Sequence, residues 1–251
     1  MQTILITGCS SGFGLEIARH FLARDWQVVA TMRTPDAAVL PPAERLRVLA
    51  LDVTDAQSIR RAVEAAGPID VLVNNAGFGL ASPAELVPID AVRELFETNT
   101  FGTIALTQAV LPQMRERGAG VIVNVTSSVT LKPLPLVAAY RASKAAVNAF
   151  TESMAVELEP LGIRARLVLP GRSPETRFAD NARGNGRMLG FDHPAYADFV
   201  AQSLNRMMDA TAPTTRSQDV AEAVWRAATD AAAPLRIPAG ADAVAWAAEA
   251  R

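Results

Sequence analysis

Lysine is almost missing from this 251-residue chain: of 24 basic residues only Lys132 and Lys144 are lysines, and the other 22 are arginines. Tyrosine is as scarce, with Tyr140 and Tyr196 alone, and histidine is confined to His20 and His193. The lone Cys9 excludes an internal disulfide framework and reads as a small filler within a turn. One cysteine and two distant histidines supply no metal-ligand set, so no metal site is expected. No apolar stretch reaches membrane-spanning length, and the start, Gln2-Thr3-Ile4-Leu5-Ile6, lacks the basic region and long apolar core of a secretory leader. A net charge of −2 offers no basic excess for nucleic acid. The expectation is a cytoplasmic protein that handles a small molecule, with neither nucleic acid nor membrane as partner.

What is present is an alternating chain. Apolar, β-rich runs stand at Thr3–Ile6, Gln27–Met32, Leu46–Leu51, Ile69–Val73, Gly120–Val125 and Arg164–Leu169. Helical segments lie between them at Leu15–Arg24, Ala56–Ala65, Ile89 to Glu116 and Ala138–Leu158. Such alternation predicts βαβ crossovers and a parallel sheet covered on both faces, whose buried strands read as continuous apolar runs. A late helix, Ser217–Asp230, precedes Pro234–Ile237, which has the character of a seventh strand. No repeat or linker divides the chain, so residues 1–251 are read as one domain.

The rhythm breaks between Pro170 and Pro213, where Gly184, Gly186 and Gly190 sit among Phe178, Met188, Leu189, Phe191, Tyr196 and Phe199. An apolar insertion with glycine hinges after a strand's carboxyl end suits a lid over a site, spanning about 171–213. An extra helical hairpin packed on the core fits the same composition.

Two motifs carry chemistry. The first strand runs into Gly8-Cys9-Ser10-Ser11-Gly12-Phe13-Gly14 and then into a helix, a setting in which small residues let backbone approach a pyrophosphate at a helix N-terminus. Tyr140 and Lys144 stand four apart in a helical stretch and so share one face. An ammonium there favours phenolate and would lower the phenol's pKa towards neutrality. Arginine's broad fork does not replace a compact ammonium that also relays protons.

These motifs, with Asn74-Asn75-Ala76-Gly77 after the fourth strand and Pro170-Gly171 after the sixth, resemble the short-chain dehydrogenase/reductase family. The resemblance implies an α/β fold: a single Rossmann-like, doubly wound parallel sheet of about seven strands with helices on both faces. It implies hydride transfer between a nicotinamide cofactor and an alcohol or carbonyl. Tyr140 would exchange the proton with the substrate oxygen, and Ser127, thirteen positions earlier, would hydrogen-bond that oxygen. Lys144 would bind the nicotinamide ribose and depress the Tyr140 pKa, while Asn99 would hold a water in the proton relay. Gly8, Ser10, Ser11, Gly12, Phe13, Gly14, Asp52, Val53, Asn74, Ala76, Gly77, Pro170 and Gly171 would form the cofactor cradle with Tyr140 and Lys144. Family members are commonly dimers or tetramers, so a homodimer or homotetramer is expected.

The chain departs from the family pattern at two places. Five positions beyond Pro170, where a threonine is usual, stands Glu175, with Thr176 next; Val129 replaces the glycine often found near the catalytic serine. Where NAD-preferring members carry an aspartate, eighteen residues beyond Gly14, the chain has Met32, followed by Arg33 and Thr34. A guanidinium grips phosphate in a charge-assisted way, so NADP(H) is expected to be preferred, with NAD(H) still admitted. The Ala30-Thr31-Met32-Arg33 and Asn99-Thr100-Phe101-Gly102 contexts resemble the hydroxysteroid and retinol dehydrogenase branch, which favours an apolar substrate. The rival is a non-catalytic dinucleotide sensor or scaffold on the same fold, against which an intact Tyr140–Lys144 pair argues.

Overall fold

The computed structural model describes residues 1–176, 186–207 and 211–250. The apolar runs become strands β1 (Thr3–Thr7), β2 (Gln27–Met32), β3 (Leu46–Ala50), β4 (Val71–Asn74), β5 (Gly120–Val125), β6 (Ile163–Pro170) and β7 (Arg236–Ala239). They pair, all parallel, into one sheet in the order β3-β2-β1-β4-β5-β6-β7. The helices are α1 (Gly12–Leu22), α2 (Ala56–Ala66), α3 (Ile89–Phe96), α4 (Gly102–Arg117), α5 (Ala138–Leu158), α6 (Ala197–Met207), α7 (Ser217–Thr229) and α8 (Ala241–Glu249).

Strand side chains alternate between two cores, as a two-residue period requires. Ile4 and Ile6 join α1 and α7 through Ile17, Phe21, Val220 and Val224 on one face. Leu5 and Leu72 join α2, α4 and α5 through Ile59, Leu106 and Met154 on the other. The Asp55 carboxylate starts α2 by accepting the Gln57 and Ser58 N–H groups at 2.9 and 3.1 Å, a cap that satisfies two otherwise orphaned donors. The chain lays β2 and β3 to one side of β1 and then returns to place β4 on the other. At such a reversal the loops diverge and open a crevice at the strands' carboxyl ends.

Three local expectations change. The stretch from Ile89 to Glu116 is not one helix: a π turn at Glu97–Phe101 separates α3 from α4. Its extra residue per turn sends Asn99 and Thr100 into the interior, where the Thr100 hydroxyl donates to the Ser143 carbonyl at 3.0 Å. The last strand is Arg236–Ala239 rather than Pro234–Ile237. Pro238 is tolerated there because β7 is an edge strand with a free N–H side. The chain then forms α8, which was not anticipated.

Candidate active site

A cavity of about 640 Å³ lies at the carboxyl ends of β1, β2, β4 and β5. The glycine turn forms one end, with Gly8, Ser10, Ser11, Gly12 and Phe13 on the wall. At Gly14 a Cβ would stand 2.3 Å from the Gly8 carbonyl oxygen, and at Gly8, with φ +74°, it would meet the Ala76 Cα at 3.0 Å. The turn is therefore pressed onto the segment after β4, and only glycine leaves room. Asn75 braces the contact: its side-chain amide donates to the Thr7 carbonyl at 2.8 Å, while the Thr7 hydroxyl accepts the Asn75 and Ala76 N–H groups at 2.9 and 2.8 Å.

Arg33, Asp52, Val53, Ala76 and Gly77 also line the cavity. Asp52 sits below the usual carboxylate range, chiefly because the Thr54 N–H donates to it, with the Arg33 guanidinium contributing. Asn74 corrects the expectation for the cradle. Its side chain is buried behind the cavity, donating to the Thr107 hydroxyl and to the Asn124 side-chain oxygen Oδ1 at 3.0 and 2.8 Å, and Asn75 takes its place on the wall. Gly14, Pro170 and Gly171 support the wall from behind it rather than lining it.

At the other end α5 presents Tyr140 and Lys144, both buried. The Tyr140 hydroxyl hydrogen-bonds Ser127, which β5 delivers just past its end. The Lys144 ammonium donates to the Val125 carbonyl at 3.1 Å. Among the described residues that is its one acceptor, although it carries three donors. Thr126, also on the wall, buries a hydroxyl that has no partner among the described residues. Orphaned polar groups of this kind beside a glycine-floored trough fit a large polar ligand such as a dinucleotide.

Burial pushes the Tyr140 phenol up to about 12, against a smaller lowering from the Ser127 bond, and pulls Lys144 down to about 8. In the chain by itself the phenol therefore stands above its ordinary value rather than near neutrality, because desolvation is the larger influence on it. Asn99 is held through its side chain. Its amide accepts the Phe78 N–H at 3.0 Å and donates to the Phe78 carbonyl at 2.9 Å and to Ser143 at 3.2 Å. The side chain is a brace for the Gly77–Phe78 backbone, with its capacity largely spent there.

An apolar patch of Leu80, Leu95 and Leu189 surrounds Tyr140. Leu189 comes from the proposed lid, which pairs with Ala81 through two backbone bonds of 3.0 Å, Ala81 N–H to the Arg187 carbonyl and Leu189 N–H to the Ala81 carbonyl. Arg187 stacks over Phe78 at 3.5 Å and pairs with Glu94 at 3.2 Å. Of the other lid residues, Tyr196 donates to Glu85 at 2.5 Å, Phe199 is half exposed, and Phe178 lies outside the described residues. None of Met188, Phe191, Tyr196 or Phe199 lines the cavity.

Residues 2–185 match the family model for short chain dehydrogenase. The chain belongs to that family. It is 38% identical over 236 residues to the uncharacterized oxidoreductase YusZ of Bacillus subtilis, covering 90% of this chain and 84% of that one. It is 38% identical to a 3-ketodihydrosphingosine reductase of Bacteroides thetaiotaomicron, over 81% of this chain and 74% of the relative. Retinol dehydrogenase 8 of Bos taurus is 36% identical, over 94% of this chain and 80% of that protein. Among solved structures, a short-chain dehydrogenase from Streptomyces avermitilis superposes with a TM-score of 0.84 at 33% identity, covering 99% of this chain and 91% of that one. A Burkholderia cenocepacia short chain dehydrogenase solved in complex with NADP gives 0.78 at 27% identity, with 99% and 93% covered. The protein is accordingly an oxidoreductase that acts on alcohol or carbonyl groups with a nicotinamide cofactor.

Within the family frame, the displaced threonine resolves cleanly. Glu175 is exposed, and Thr176 is buried, lining the cavity over Gly12 with its Cβ 3.5 Å from where a Gly12 side chain would start. Sequence reasoning missed Asn75, Phe78, Glu94, Thr98 and Arg187 on the wall. Asn75 lay inside a quoted motif; the rest carry no local signal.

Proposed function

We propose that the protein is an NADP(H)-preferring oxidoreductase that interconverts an alcohol and a ketone or aldehyde on an apolar substrate, with Tyr140 as proton donor and acceptor. The observation that carries this is the buried Tyr140–Lys144 pair on the wall at one end of a cavity whose other end is the glycine turn, with Ser127 hydrogen-bonded to Tyr140 just behind that wall. When bound, the nicotinamide would supply hydride. Gly8, Ser10, Ser11, Gly12 and Phe13 would hold the pyrophosphate, whose charge suits the N-terminus of α1. The reaction builds negative charge on the substrate oxygen, which needs a proton and preplaced donors. Ser127 and Tyr140 are two such donors, within hydrogen-bond reach of each other. A phenol raised to about 12 stays protonated at neutral pH and can donate its proton when the substrate oxygen gains charge. Lys144 would hold the ribose with its spare donors and stabilise the phenolate left behind. Asn99 would serve by fixing the Gly77–Phe78 wall, and Leu80, Leu95 and Leu189 would shield the reacting carbonyl from water.

The preference for NADP(H) rests on Arg33 at the end of β2, on the cavity wall where Met32 replaces a carboxylate. Arg33→Ala is expected to weaken NADPH by roughly 1–3 kcal/mol, the range for hydrogen bonds to charged groups, and to leave NADH unchanged. Fluorescence titration of both cofactors checks it, and equal or tighter binding of NADH to the wild type would overturn the preference. The lid reading of residues 171–213 is supported by Leu189 and Arg187 reaching the site from that segment. A cytoplasmic homodimer or homotetramer completes the reading. Exposed Ile89, Phe101 and Val156 support association, for which light scattering is the check. A panel of apolar ketones and aldehydes assayed by loss of NADPH absorbance tests the whole; binding without turnover of any carbonyl or alcohol would favour a sensor.

A further inference from the structure

Asp242 is a carboxylate that no step above uses, yet it is only 4% exposed. It stands in the first turn of α8 and reaches back to the segment after β6. Its Oδ2 accepts the Arg172 N–H at 2.6 Å, and its Oδ1 accepts the Thr215 hydroxyl at 2.7 Å. The Thr215 oxygen accepts the Gly171 N–H at 2.9 Å, and the Thr215 N–H donates to the Arg172 carbonyl at 2.8 Å. The Ala239 carbonyl also lies 2.9 Å from that hydroxyl, but a single proton goes to the carboxylate, because charge-assisted bonds are the stronger ones. One buried carboxylate therefore fixes two consecutive backbone amides. No side chain fits at Gly171, where a Cβ would stand 2.1 Å from Asp242.

The fixed amides are the root of the turn that carries Thr176. Thr176 closes back on the Ser173 carbonyl through its N–H at 3.3 Å and its hydroxyl at 3.0 Å, and so holds its side chain over Gly12. We propose that Asp242 and Thr215 are positioning residues for cofactor binding: by locking Gly171 and Arg172 they hold Thr176 against the glycine turn. The inference rests on the reading of this cavity as the NADP(H) site. A buried anchor with a merely structural role would lower stability and leave cofactor affinity where it was.

The test is NADPH titration by fluorescence well below the melting temperature, on wild type, Thr215→Val, Thr215→Ser, Thr176→Ala and the Thr215→Val/Thr176→Ala double variant. Loss of the hydroxyl in Thr215→Val is expected to raise the NADPH Kd about tenfold, with kcat at saturating cofactor near the wild-type value. Thr215→Ser keeps the hydroxyl and is expected to restore wild-type affinity. The double variant is expected to bind no more weakly than the weaker single one, since both changes act through one contact. Effects that multiply in the double variant, or a Thr215→Val protein with a lower Tm and an unchanged Kd, would overturn the proposal. If Thr215→Val does not fold, Asp242→Asn reads the same change under the same two criteria. Wild type that fails to bind NADPH overturns the functional reading itself, a result distinct from wild-type binding that the variants leave unshifted.

Discussion

Two layers of polar side chains lie next to each other at the carboxyl end of the sheet and behave in opposite ways. In the lower layer the side chains close on one another: Asn74 donates to Thr107 and Asn124, Asn124 donates to Thr151 at 2.8 Å, and Thr151 donates to the Val147 carbonyl at 2.6 Å. In the upper layer, among the described residues, Lys144 has spare donors and Thr126 a hydroxyl without a partner, and Arg33 lines the cavity beside the Ser127-bonded Tyr140. The same residue types thus do two jobs, and the difference is whether their hydrogen bonds are already spent. A closed buried network specifies the fold, whereas an open one asks for a ligand.

The sharpest way to break this contrast is to remove one hydroxyl from the open layer. Tyr140→Phe is expected to cut turnover by roughly 10²–10⁴-fold, the contribution of a general acid, with Tm nearly unchanged. Steady-state rates and calorimetry on the same preparation check both halves, and near-normal turnover would sink the assignment of Tyr140. In the closed layer the expectation reverses. Asn124→Leu strands one Asn74 N–H, costing roughly 1–3 kcal/mol, and removes the donor to the Thr151 oxygen, so Tm falls while turnover per folded molecule stays close to wild type. Urea unfolding with activity normalised to folded fraction reads this.

A pH series sharpens the contrast within the open layer. Burial lowers Lys144 to about 8 from 10.5, so turnover that needs its charge is expected to fall as pH rises through about 8. Stability moves the other way. Between about 8 and 10.5 the unfolded chain binds the lysine proton and the folded one does not, so this site's contribution to stability rises with pH there. Tyr140 opposes that at higher pH: its folded pKa of about 12 exceeds the ordinary phenol value of 10.0, so the stability it lends below 10 is lost as pH climbs to 12. Rate profiles and Tm measured across pH 6 to 11 separate the two.

The smallest effect belongs to the other lysine. Lys132 lies over Trp246 at 4.4 Å and pairs with Glu249 at 3.4 Å, tying the loop after Ser127 to α8. Lys132→Gln is expected to cost about 0.5–1 kcal/mol of stability, as an exposed cation–π contact would, and to leave turnover unchanged. A loss of turnover matching that of Tyr140→Phe would place Lys132 in the site instead.

The alternating apolar runs, the glycine turn and the Tyr140–Lys144 spacing were legible because each is local: strand burial, backbone room and one helical turn are written over a few consecutive residues. So were Ser127 and the family, since several such signals occur in order. Asn74 misled because its motif is shared with Asn75, and only the strand's pleat decides which of two adjacent amides turns inward. Thr176 could be placed only once the turn from Ser173 was seen to carry it over Gly12.

The sequence by itself determined the layered sheet, the family and the groups proposed to react. The tertiary structure decided the chemistry of those groups and the supports behind them. Burial, not the helical neighbour, sets the Tyr140 phenol, because desolvation depends on everything packed around it. Asp242 reaches Arg172 across 70 residues, Arg187 reaches Glu94 across 93, and Lys132 reaches Glu249 across 117. Contacts at such separations leave no periodicity in the chain; they exist only after the sheet has brought its distant strand ends together.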